Sequence, residues 1–185
     1  NYVEKNAINK LENISSNLNE NFGILILKDK NKYSTEMKKI EKPCGISCFF
    51  VKKNLFLNLK GFDENFFLYY EDTDLVKRFI NYNHDIYMVP VKYSNFLGSH
   101  DKKFNYKIEI NRNWHYMWSK FYFRKKHFGY FYGLFSTLPY FIRSLIKIVI
   151  NFKKPEKKAR YSARMSGLYN SYILSKSWFR PKIDN

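Results

Sequence analysis

Five carboxylates, those of Asp63, Glu64, Glu71, Asp72 and Asp74, crowd into "GFDENFFLYYEDTDLVKRF", residues 61 to 79 of a basic, aromatic chain. Carboxylates grouped this way can start a helix, hold a metal ion or take a proton. The helical use is immediate. Acidic side chains in a first turn meet free N–H groups and the positive end of the helix dipole. Glu71, Asp72 and Asp74 ahead of "LVKRF" satisfy that need. At ~100° per residue, Glu71 and Asp74 come close together around the axis while Asp72 points elsewhere. One set can therefore serve the helix while the other faces a cleft. The loop "GFDENFFLYY" adds aromatic surface beside these groups, and a carboxylate against aromatic walls loses solvation and becomes a better base.

The elements that must position this cluster follow from periodicity. Residues 3–18 set Ala7, Leu11, Ile14 and Leu18 on one stripe and predict an amphipathic helix. "GILIL" (23–27) predicts a strand, residues 29–42 a polar loop, and "CGISCFFV" (44–51) a second β-rich run entered through Pro43 and Gly45. A short helix or turn at 54–59 precedes the acidic loop. The helix predicted over 71–83 turns Leu75, Val76, Phe79 and Ile80 inward, with Lys77 and Arg78 facing away. "DIYMVPV" (85–91) reads as a strand that Pro90 confines to an edge or to its own end. Strand, loop, acidic helix and strand in succession are α/β grammar, and open α/β sheets place sites at such positions. Cys44 and Cys48, if both lie on one strand face, stand ~13 Å apart, too far to bridge. They read as buried free thiols in a reducing compartment.

Charge divides the 185 residues in two. Residues 1–100 carry a net of +2 and residues 101–185 a net of +15, out of +17 for the whole. A basic half beside a near-neutral one points to a polyanionic surface, nucleic acid or anionic lipid. In that half Trp114, Trp118, Phe121 and Tyr122 form an aromatic helical stripe ringed by Arg and Lys. Residues 128–152 are apolar, broken by Pro139 and interrupted by Arg143 and Lys147. Their longest uncharged run, Phe128 to Ile142, falls short of the ~20 residues a bilayer span needs. An in-plane interfacial helix pair and a buried core hairpin both fit this segment. A last helix, "EKKARYSARMSGLYNSYIL", is basic on one side with small residues at Ser166 and Gly167.

From Cys44 to His100 the sequence resembles the C-terminal part of the catalytic domain of family 2 glycosyltransferases, nearest the bacterial rhamnosyltransferase-like branch. The features that carry the likeness are the G-F-D-E loop, "FFLYYEDTDL", a helix containing Arg78, a strand, and a terminal His. "NRNWHYMWSKFYFRKKHFG" resembles that family's helix after the catalytic domain, and "ARYSARMSGLYNSY" its last helix. The resemblance implies an α/β fold: a partial GT-A (nucleotide-diphospho-sugar transferase) sheet over residues 1–104, followed by C-terminal α-helices over 105–185. It implies an inverting transfer from a dTDP- or UDP-sugar to a saccharide or lipid-linked saccharide, using a divalent cation, Mn²⁺ or Mg²⁺. Asp72 would be the catalytic base and Glu71 its support. Gly61, Phe62, Asp63, Glu64 and Tyr70 would bind the acceptor, Asp74 would cap the helix, and His100 would ligate the metal.

The family's Asp-x-Asp motif is absent from residues 1–60, and Asp72-Thr73-Asp74 falls too late in the chain to be it. The sequence thus reads as a piece whose beginning lies upstream, unable by itself to hold a donor tightly or to turn over. The expected location is the cytoplasmic face of the cell membrane, peripherally bound to anionic lipid, with Trp114, Trp118 and Tyr122 as interfacial anchors. Two other readings compete. One is a basic nucleic-acid-binding protein, which scarce Arg, a missing recognition motif and the acidic loop all disfavour. The other is a non-catalytic membrane-associated module.

Overall fold

A computed structural model describes residues 2–29, 35–94 and 102–177. The protein is mixed α/β, with eleven elements among the described residues, and divides into two compact units. One unit comprises Asn1–Asp63 with Asp72–Gly98, the other Glu64–Glu71 with Ser99–Asn185.

In the first unit the chain runs β1 (Tyr2–Val3), α1 (Ala7–Ser16), β2 (Phe22–Asp29), β3 (Lys38–Lys39), β4 (Phe49–Val51), α2 (Lys53–Asn58), α3 (Glu71–Asn81) and β5 (Asp85–Ser94). The sheet order is β1-β5-β2-β4, with β3 also on β5. β2 and β5 are parallel; the other pairings are antiparallel. Alternation along β2 and β5 explains the layers. Leu25, Leu27, Val89 and Val91 join Ala7 and Leu11 of α1 in one buried cluster. Ile24, Ile26 and Ile86 point the other way, onto Leu75, Val76 and Phe79 of α3. The sheet is thus covered on both faces by the two helices whose periodicity the sequence displays. Gly23 permits this closeness, since a Cβ there would lie 2.4 Å from the Phe79 ring.

Several expectations about this unit change: Lys38–Lys39, inside the predicted loop 29–42, is strand β3. Only Phe49–Val51 of the run 44–51 is strand, because the preceding residues turn to bring Ile46 into the core under α3. β5 is an interior strand despite Pro90. It pairs with β2 along one edge, while β3 pairs with Tyr87–Met88 and β1 with Tyr93–Ser94 on the other. Pro90 falls where the β2–β5 register slips, between the pairs Val89–Leu27 and Lys92–Lys28. A bulge is one of the few sheet positions that tolerate a missing N–H.

The second unit contains α4 (Lys102–Phe128), α5 (Tyr130–Ile150) and α6 (Pro155–Tyr172). Gly129, at φ 91°, is the one residue between α4 and α5. Trp114 and Trp118, only 3% and 4% exposed, pack with Ala163 of α6. Their indole N–H groups donate to Ser166 Oγ at 3.2 Å and Ser175 O at 2.9 Å. The two tryptophans are therefore not interfacial anchors. The aromatic stripe is the seam between α4 and α6, and periodicity alone could not say what would cover it. Residues 128–152 form neither a helix pair nor a buried hairpin: α5 is one helix running through Pro139, and its large apolar side chains are mostly exposed.

The α4–α6 seam depends on Gly167, where a Cβ would lie 2.3 Å from the Trp114 carbonyl oxygen. Alanine would gain about 1 kcal/mol of helix propensity. Forcing two backbones apart costs about 1–3 kcal/mol, so the clash should win. We expect Gly167→Ala to lower the thermal unfolding midpoint, by about 2–4 °C for each kcal/mol lost; an unchanged midpoint would mean the seam yields freely.

Candidate functional site

α3 begins at Glu71 and carries the acidic cluster into the first unit. Asp72 lies in its first turn and is held on both oxygens. Oδ2 accepts from the Ile46 N–H at 2.7 Å, and Oδ1 accepts from the Thr73 N–H at 2.6 Å and the Thr73 hydroxyl at 3.2 Å. An ionised carboxylate offers about four lone-pair positions. Among the described residues three are used, and the remaining one is on Oδ2. Asp72 also pins the Gly45–Ile46 turn to the helix. That turn lines a cavity of about 370 Å³ with Ile26 to Asp29, the carboxyl end of β2. Asp72 does not itself line the cavity.

Asp74 has a different task from the helix cap expected of it. It is fully buried and ion-paired with Arg78 four residues on, Oδ2 to Nε at 2.8 Å. Arg78 does not face away; its other two nitrogens donate to Leu59 O and Gly61 O, each at 2.6 Å. Those carbonyls belong to the turn that ends α2. There Lys60 adopts a left-handed conformation at φ 61°, with its N–H on Leu57 O, and the Gly61 N–H reaches Phe56 O. This is the double hydrogen bond of a Schellman ending. The periodicity that set Arg78 outward was overridden by a partner at the same helical spacing, Asp74, and by carbonyls from a distant turn.

The residues expected on the acceptor side divide between the units. Gly61 and Phe62 stay with the first: the Phe62 ring meets Phe56 and Phe49 edge-on, at centroid distances of 5.6 and 6.3 Å. Asp63 is half-buried at the end of that unit's first segment. Glu64 and Tyr70 belong to the second unit, where residues 64–71 form a strap along α4. Phe66 packs on Tyr122, Phe67 on His115, and the Ser119 hydroxyl donates to Leu68 O at 2.9 Å. Tyr69 and Tyr70 are both left-handed, at φ 68° and 70°, which is strained for bulky side chains. Arg112 Nε donates to the Tyr69 hydroxyl at 2.8 Å. The Tyr70 ring sits between Tyr116 and Phe123. Burial first, and then Tyr116, push the Tyr70 phenol well above the ordinary tyrosine range, so it stays protonated as a donor. Nearby, buried Lys120 lies 3.9 Å over the Tyr140 ring and is the main cause holding that phenol below its usual value.

The strap borders a second cavity, of about 770 Å³, with Glu64, Phe66 and Phe67 facing Trp118, Tyr122 and Lys125. The sequence signal missed both this cavity and the strained tyrosines, since Tyr-Tyr carries no mark of left-handed backbone. No group of three or more His, Cys, Asp or Glu able to hold a metal ion occurs among the described residues, and His100 lies outside them. Cys44 and Cys48 are free thiols, half-buried.

No family model, no curated protein and no solved structure matches this chain.

The Asp74–Arg78 fork generates a prediction about stability. Lysine at 78 keeps the charge but cannot present three donors in one plane. We expect Arg78→Lys to cost about 1–3 kcal/mol, because carbonyls in the α2 turn lose a charged donor. Asp74→Ala should cost about 3–5 kcal/mol by leaving the guanidinium without its counter-ion. Urea unfolding midpoints measure both, and equal effects of the two variants would contradict the fork.

Proposed function

We propose that this chain forms the acceptor-side part of an inverting glycosyltransferase, moving a sugar from a nucleotide-sugar donor to a saccharide or lipid-linked saccharide. The observation that carries the proposal is the state of Asp72. It is an aspartate fixed in a helical first turn by three hydrogen bonds, with one lone-pair position left on Oδ2. Supporting this are the mixed α/β sheet and the order G-F-D-E loop, E-D pair, helix and strand, which the resemblance to a GT-A domain requires.

The step assigned to these residues is proton removal. A sugar hydroxyl is a weak nucleophile at neutral pH, and a base must take its proton as the new bond forms. The acceptor oxygen attacks the anomeric carbon from the face opposite the leaving group. The bond from that carbon to the phosphate oxygen breaks, the nucleoside diphosphate departs with the electron pair, and the proton passes to Asp72 Oδ2. Configuration inverts. Glu71, adjacent in the first turn, supports the base electrostatically. Of the residues this reading assigns to the acceptor, Gly61, Phe62 and Asp63 belong to the first unit and Glu64 and Tyr70 to the second.

The deciding experiment is Asp72→Asn in the full-length protein. Transfer should fall by about 10²–10⁴-fold, the usual share of a general base, while calorimetry shows donor binding retained. Near-normal turnover would put the base elsewhere.

A further inference from the structure

α5 is built inside out for a helix in water. The residues it buries against its neighbours are small or polar: Gly133, Thr137 and Ser144. The large apolar side chains point away from the bundle, with Phe131 72%, Phe135 67% and Val149 66% exposed, and Ile142 and Ile146 about half. At ~100° per residue these five share one face within about 60° of arc, and the three buried residues lie on the opposite face. A surface helix of a soluble protein has the reverse arrangement. The buried side is also fitted closely. A Cβ at Gly133 would stand 3.1 Å from both the Lys125 nitrogen and the Phe121 ring, and the Thr137 hydroxyl meets Gly133 O at 2.7 Å and the Tyr172 hydroxyl at 3.0 Å. The outward face is therefore fixed by the packing of the inward one.

Charge identifies the occupant of that face. Arg143 and Lys147 stand on one flank of α5, about 100–140° round the axis from the centre of the apolar face. Beyond the helix end, Lys154, Lys157 and Lys158 are all exposed. An apolar strip bordered along one side and at one end by cations matches a lipid leaflet seen edge-on, acyl chains under the strip and phosphates beside it. Although α5, at 21 residues, is long and apolar enough to cross a membrane, one whole face is committed to α4 and α6. Its two cations lie in its C-terminal half, at a depth where a spanning helix would have to bury them.

We propose that α5 docks the protein onto an anionic lipid monolayer, lying in the plane of the surface with the Phe131–Phe135–Ile142–Ile146–Val149 face inserted. This inference does not depend on the catalytic reading. It replaces the tryptophan stripe, which is interior, with α5 as the membrane-facing element.

The test uses the full chain with vesicles of phosphatidylcholine alone or mixed with phosphatidylglycerol. The protein should cosediment with the mixed vesicles, less so as salt rises, and alkaline carbonate should release it. The double variant Phe135→Glu/Ile146→Glu should lose binding by about tenfold or more. Its circular dichroism and unfolding midpoint should not move, because both positions are exposed. Lys154→Gln/Lys157→Gln/Lys158→Gln should reduce the preference for phosphatidylglycerol and flatten the salt dependence. Three results would overturn the proposal: unchanged vesicle binding in the folded double glutamate variant, resistance to carbonate, which indicates a spanning helix, or a dimer in sedimentation velocity that the double variant dissociates while vesicles bind neither form.

Discussion

The acidic helix is held where it is by one buried ion pair. Asp74 is fully enclosed, and an enclosed carboxylate is costly unless its charge is matched and its partner's donors are spoken for. Arg78 meets both demands: its Nε neutralises Asp74, and its remaining nitrogens close on Leu59 O and Gly61 O. Three acceptors lie around one rigid plane, which is why the residue is arginine in a chain otherwise rich in lysine. Those carbonyls come from a turn where the α2 helix ends and its own amides cannot reach them. The interaction thus fastens the end of α2 to the middle of α3. Asp72 is two residues upstream of Asp74 on the same helix, so its position against Ile46 follows from the same anchorage.

Carboxylates that look alike in the sequence consequently do unlike things. Asp74 is consumed by structure. Asp72 is fixed by lighter bonds that leave one acceptor position, and Glu64 borders a cavity in the other unit. Spacing around a helix separated Asp72 from Asp74 correctly, but it paired Asp74 with Glu71 and overlooked Arg78. A helical wheel records angles; it says nothing about a carbonyl arriving from a turn far along the chain.

Much of the first unit was legible for a physical reason. The stripes Ala7–Leu11 and Leu75–Val76–Phe79 each bury one face on a sheet, and the sheet strands are apolar on both faces because a helix covers each. Periodicity encodes such burial directly. It fails where the covering surface is the question. Trp114 and Trp118 share a face with Phe121 and Tyr122, which predicts that something apolar will meet them, lipid or protein alike. The structure supplies α6, whose approach is allowed by a glycine. Pro90 misleads in a related way: proline marks a missing donor, and an edge and a bulge both accommodate that. The left-handed Tyr69 and Tyr70 could not be read at all. Their strain, of order 1–3 kcal/mol each, is offset by ring contacts with α4 that no local sequence signal records.

Two opposite polarity patterns meet in the helical unit, and their contrast explains its charge. α4 turns Trp114, Trp118 and Phe121 inward, as water requires. α5 turns glycine, threonine and serine inward and leaves phenylalanine, isoleucine and valine outside, as water forbids. If the two helices served the same solvent, one would be misfolded. Small residues at helix contacts are characteristic of packing where lipid removes the hydrophobic incentive to bury large side chains. The exposed lysines at the end of α5 supply the complementary half of such a surface. The +15 of residues 101–185 is then no diffuse property of composition. Part of it borders α5, which exposes its apolar side, where cations and apolar groups can act on the same leaflet.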